Sequence, residues 1–203
     1  EEGAFILDIG GQSSRPGAIS ISEEEEWTRV KPVIEGVLKA KPQAFISIDT
    51  YRSSVAKLAV EAGAVLVNDI SAGSLDPELI PTVASLDVPY ILMHMKGTPT
   101  TMQKNPEYRN VVDEIGEFFK DQISLLRSHG IRDIILDPGF GFGKTLQDNY
   151  SILNNLKSLN SFGLPVLAGL SRKSMITKVV MREPSEALNG TSAMNAIALQ
   201  NGA

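Results

Sequence analysis

Ile134-Ile135-Leu136-Asp137-Pro138-Gly139-Phe140-Gly141-Phe142-Gly143-Lys144 is a short apolar run that ends in a carboxylate and opens into a glycine-rich loop. The run is too short for a globular helix and is apolar throughout, as expected of a parallel strand covered on both faces. The same grammar recurs along the chain. Apolar runs at residues 5–9, 45–48, 65–67, 90–93 and 166–168 are rich in Ile, Val and Leu and read as strands like 134–136.

Helical segments lie between them. Ser22 with Glu25 three residues on predicts a capping box, and Glu23 to Glu26 load the first turn with charge that suits the helix dipole. Trp27, Val30, Ile34 and Val37 continue at helical spacing, with a kink expected at Pro32. The acidic run therefore reads as a helix start rather than a cation site. Val55, Leu58, Ala59 and Ala62 form a stripe ended by Gly63, and residues 76–86 a weaker helix. Ile115, Phe119, Ile123 and Leu126 mark the longest helix, stopped by Gly130. Tyr150, Leu153, Leu156 and Leu159 mark another before Gly163, and residues 191–199 a last one.

Strand and helix alternate without a linker, a composition shift or a fixed repeat. This predicts α/β architecture on a parallel sheet, as a single domain over residues 1–203. In 203 residues, 24 Asp+Glu outweigh 19 Lys+Arg, a formal charge of −5, which argues against a nucleic-acid partner. No apolar run approaches the roughly 18 residues of a membrane helix. Cys is absent, so a disulfide scaffold, a thiolate metal site and a Cys nucleophile are excluded. That composition suits a reducing compartment.

The C-terminal end of each strand is the most informative place in the sequence. The first strand carries Asp8 and leads into Gly10-Gly11-Gln12-Ser13-Ser14-Arg15-Pro16-Gly17; the next ones lead into Asp49-Thr50, Asn68-Asp69 and His94-Met95. The fifth ends in Asp137 and its loop, the sixth in Gly169-Leu170-Ser171-Arg172-Lys173. Ligands of parallel α/β proteins sit at this end of the strands. Any one of these Asp residues alone reads better as a helix cap, but their coincidence points to a shared site. The Gly139–Lys144 loop is not a Walker A motif, because Pro138 stands where the first Gly is required. Its Phe residues offer apolar faces to a flat ring, or pack on the rim. His94 and His129 sit in no metal-ligand pattern, and no Ser/His/Asp triad can be named.

Taken together, these segments resemble the dihydropteroate synthase family of pterin-binding enzymes. The resemblance runs through Asp8 to Ala18, Ser47-Ile48-Asp49-Thr50, Val67-Asn68-Asp69, Leu92-Met93-His94-Met95, Asp137 to Lys144 and Gly169 to Ser174, in order through nearly the whole chain. Gln12 and Ser14 stand where the family usually has Glu and Thr. The family fold is a TIM-type (β/α)8 barrel, of which the chain carries roughly six strands; the first and last are expected to be absent, as in an internal portion of a longer chain.

The resemblance implies condensation of 7,8-dihydropterin pyrophosphate with p-aminobenzoate, with sulfonamides as competitors. It implies catalytic roles for Asp49 and Lys173, and a pterin pocket of Asp49, Asn68, Met93, Asp137, Lys173 and Arg172. Ser14, Arg15, Pro16, Phe142, Lys144 and Ser171 are implied on the p-aminobenzoate and pyrophosphate side. Mg²⁺ is implied on the pyrophosphate oxygens, with no protein ligand for it among these residues. A cytoplasmic homodimer with neither nucleic-acid nor membrane partner is expected. The competing readings are a pterin-binding methyltetrahydrofolate methyltransferase domain and a catalytically silent pterin-binding fragment.

Overall fold

Short runs of branched apolar residues gain little as helices but pack well on a pleated surface, and five of the six form strands. The structure, a computed structural model, describes residues 3–15, 18–102 and 105–203. The strands are β1 (Ile6–Gly10), β2 (Phe45–Asp49), β3 (Leu66–Asp69), β4 (Tyr90–Met93) and β5 (Ile134–Asp137), in one sheet ordered β1-β2-β3-β4-β5. From β1 to β4 each strand pairs with the next in parallel. The edge strand β1 alternates between exposed and half-buried residues, whereas all of β4 is buried. The sixth run makes only an isolated parallel bridge, Val166 to Leu136. Pro165 supplies a carbonyl to Leu136 N at 2.9 Å but has no N–H to extend the ladder.

The helices are α1 (Glu23–Ala40), α2 (Ser53–Glu61), α3 (Leu79–Leu86), α4 (Val111–Ser128), α5 (Leu146–Asn154), α6 (Ser174–Val180) and α7 (Leu188–Gln200). Ser22 Oγ caps α1 by accepting from Glu25 N at 3.1 Å, and the helix continues through Pro32. On α2 the buried face is Val55, Ala56 and Ala59, while Leu58 is exposed, so the stripe is turned from its expected position. The expected stripe of α4 holds: Ile115, Phe119, Ile123 and Leu126 are all buried. The next expected helix divides into α5 and a 3-10 helix, Leu156–Phe162, around Asn155, whose side chain bonds back to Ser151 O at 2.9 Å.

The chain folds as two compact units, Glu1–Met93 with Gln122–Ile134, and His94–Asp121 with Ile135–Ala203. In the first unit α1 packs on α2 and α2 on α3, around a core that includes Ile34, Ile46, Ile48 and Leu79. In the second, α5 packs on α6 and α6 on α7, with Phe119, Phe140 and Leu136 among the fully buried side chains.

Candidate active site

In the first unit, parallel register puts Gly10 beside Asp49 and Asp49 beside Asn68, so three adjacent strands end level. Gly10 packs closely here: a Cβ would lie 3.2 Å from the Asp49 carboxylate oxygen Oδ2, a tight contact that the carboxylate would have to give way to. Asn68 Nδ2 donates to Asp8 Oδ2 at 2.9 Å. Asp69, fully buried, accepts from Tyr90 Oη at 2.6 Å and from the Ser71 and Gly73 amides at 2.7 and 2.6 Å. Asp49 is half-buried in this acidic company. Burial, with the charges of Asp8, Asp69 and Glu26, pushes its pKa up to about 7. Met93 is buried at the end of β4. Ser14 is half-buried and Arg15 exposed, and Pro16 lies outside the described residues.

Glu26, expected on a solvated helix turn, is instead fully buried. It accepts from Arg52 Nη1 at 2.6 Å and from Thr50 Oγ1 at 2.7 Å, while Arg52 Nη2 also donates to Ile21 O at 2.5 Å. The signal is present in the spacing: Glu26, Val30 and Ile34 lie four residues apart and share one helix face.

In the second unit Asp137 is buried at the head of its loop and accepts from Gly139 N at 2.7 Å. Gly139 has φ of +69°, and a Cβ there would collide with the His94 carbonyl oxygen. Lys173 comes to the same place from the loop before α6. A Cβ on Gly169 would lie 3.5 Å from Lys173 Nζ and 4.0 Å from Asp137 Oδ2, so acid and base both come to this glycine. Lys173 also donates to Phe140 O and lies 5.0 Å from the centre of the Phe142 ring. Burial lowers its pKa, and Asp137 opposes that shift. Phe140 is fully buried and Phe142 half-buried, so only the second can offer a ring face. Ser171 and Arg172 are exposed; Arg172 has φ of +53°, with its amide bonded to Thr191 Oγ1 at 3.0 Å.

Lys144 turns inward. Its ammonium donates to His94 Nδ1 at 3.0 Å, to His94 O at 3.1 Å and to Phe142 O at 3.0 Å. Burial pushes the His94 pKa down to about 3, aided by the charges of Lys144 and Lys96, so the imidazole is neutral and free to accept. Sequence alone assigns His94 no part, because its partner stands 50 residues away. Among the described residues no group of three or more His, Cys, Asp and Glu side chains is placed to hold a metal ion. No helix among them is long and apolar enough to cross a membrane.

The family profile described as "Pterin binding enzyme" matches residues 1–203. The dihydropteroate synthase of Synechocystis sp. is 44% identical over 204 residues, covering 99% of this chain and 70% of the relative. Among solved structures, Yersinia pestis dihydropteroate synthase in a sulfonamide complex superposes with a TM-score of 0.95 at 40% identity, covering 99% of this chain and 73% of that one. The Xanthomonas albilineans dihydropteroate synthase with 4-aminobenzoic acid gives 0.93 at 42% identity, covering 100% of this chain and 72% of that one.

Proposed function

Because the chain belongs to the dihydropteroate synthase family of pterin-binding enzymes, we propose that it joins 6-hydroxymethyl-7,8-dihydropterin pyrophosphate to p-aminobenzoate, giving 7,8-dihydropteroate and pyrophosphate. It is a transferase. The observation that carries the reading is the buried Asp137 carboxylate and the Lys173 ammonium, both brought within 4 Å of the Cβ position of Gly169. A pterin presents adjacent N–H donors on its aminopyrimidinone edge, which Asp137 accepts in a fork, while Lys173 donates to the ring carbonyl. Asn68, Met93 and Arg172 complete the pterin contacts. Asp49, when ionised, stabilises the cation that develops on the pterin as the C–O bond to pyrophosphate breaks.

The arylamine nitrogen then forms the new C–N bond and releases its proton. An arylamine is neutral at pH 7, so no strong base is required, and catalysis is positioning plus electrostatics. Ser14, Arg15, Pro16, Phe142 and Ser171 form the p-aminobenzoate and pyrophosphate side, with Lys144 behind Phe142. Mg²⁺, which the family likeness implies, would arrive with the pyrophosphate substrate and neutralise charge on its oxygens. The family likeness also carries a cytoplasmic homodimer, with sulfonamides competing for the p-aminobenzoate side.

Turnover of both substrates by the full-length protein, read as paired release of dihydropteroate and pyrophosphate, is the test. Methyl transfer from methyltetrahydrofolate without that turnover would replace this reading with the methyltransferase one. Pterin binding without either reaction would leave a silent binding protein.

A further inference from the structure

The geometry points to Lys144 as a positioning residue, a buried strut that fixes the Phe142 loop against the His94 segment and touches neither substrate. When protonated the lysine carries three N–H donors, and burial pushes its pKa down to about 7. His94 Nδ1, His94 O and Phe142 O accept them at 3.0, 3.1 and 3.0 Å, and the residue is 4% exposed. A fourth partner on a substrate would require breaking one of these bonds inside the protein. Two further contacts close the same joint. His94 N donates to Asp137 O at 3.0 Å, and Gly139 packs its bare Cα against His94 O. One side chain thus holds both the carbonyl of Phe142 and the segment that receives the Asp137 strand. The neutral state of His94 fits its part as acceptor.

This inference rests on the assignment of Phe142 to the p-aminobenzoate side. It predicts that loss of the strut loosens that side more than the pterin side, whose Asp137–His94 backbone bond remains. In the full-length enzyme, Lys144→Met should raise the KM for p-aminobenzoate about tenfold, with kcat and pterin pyrophosphate affinity within about threefold. His94→Leu should mimic it, and the double variant should be no worse than either single one, since both remove one joint. A lysine that touched either substrate would instead leave the enzyme nearly indifferent to His94→Leu while Lys144→Met still raised the KM for p-aminobenzoate or lost kcat or pterin pyrophosphate affinity; that result overturns the inference.

Should the Lys144→Met protein fail to fold, peptide-resolved reductive methylation of the unmodified enzyme decides. A strut resists labelling with or without pyrophosphate and p-aminobenzoate. Labelling of Lys144 in the free enzyme, blocked by those ligands, overturns it. An unmodified enzyme that makes no dihydropteroate would defeat the proposed function and leave the labelling result standing by itself.

Discussion

Asn68 Nδ2 donates to Asp8 Oδ2 at 2.9 Å, so β3 and β1 are joined by side chains across the end of β2, where Asp49 stands. Asp8 therefore orients the amide proposed to contact pterin and adds a like charge that helps raise the Asp49 pKa. Asp8→Ala should leave Asn68 free to rotate and weaken pterin binding by about 1 kcal/mol, the net scale of one such bond. The Asp49 pKa should fall in the same variant. Calorimetry with a pterin and carboxyl-carbon NMR titration measure the two effects, and an unmoved Asp49 would show that Asp8 acts on Asn68 alone.

Asp49 links this electrostatics to stability. Its pKa rises from 3.8 to about 7 on folding, so the folded state holds the proton more tightly than the unfolded chain. Stability is therefore lost as pH climbs from about 4 to 7, and the whole penalty is present above 7. Asp49→Asn removes that titration. The variant should be more stable than the parent by up to about 4 kcal/mol at pH 8 and equal to it near pH 4, by urea unfolding. In the parent, kcat/KM for pterin pyrophosphate should rise through about pH 7 as Asp49 ionises, a limb that Asp49→Asn abolishes with the activity.

Local features are the ones legible in the sequence. Apolar runs of the right length, and the polar groups at their ends, locate five strands together with Asp49, Asn68 and Asp137. The rest depends on partners far along the chain. Lys144 reads as the end of a glycine-rich loop, and by resemblance as part of the p-aminobenzoate side, until His94, 50 residues earlier, is placed against it. α6, at seven residues, is too short to show a periodicity. The break at Asn155 turns on one side chain bonding back to Ser151, against an apolar spacing that runs straight through it.

Glu26 and Arg52 give a prediction of opposite sense to that for Asp49. Their 2.6 Å pair has side chains 0% and 11% exposed, so removing one partner strands a charge in a place water does not reach. Glu26→Ala should cost about 3–5 kcal/mol of stability. It should also free Ile21, whose carbonyl Arg52 holds, and with it the segment that leads from Arg15 into α1. The replacement Glu26→Gln keeps the acceptor for Thr50 Oγ1 and should lose less. Equal losses for both variants, in denaturant melts, would mean that the charge accounts for the whole loss and the shape it fills for none of it.

Asp137 separates binding from folding. Its carboxylate accepts from Gly139 N at 2.7 Å through Oδ1, while Oδ2 is the oxygen nearer Gly169. Asp137→Asn can keep the first contact through its amide oxygen, so the loop should fold, but the amide nitrogen then presents a donor to the donor edge of the pterin. Pterin affinity should fall by about 1.5–3 kcal/mol, the scale of a hydrogen bond to a charged group, with the melting temperature little changed. Lys173 supplies a second reading of the same substitution. Asp137 supports its charge against burial, so in Asp137→Asn the Lys173 pKa should drop further below the ordinary lysine range. Calorimetry and lysine-selective NMR titration on the full-length protein measure both. Undiminished pterin affinity beside a lowered Lys173 pKa would place the carboxylate next to the lysine but remove it from the pterin edge.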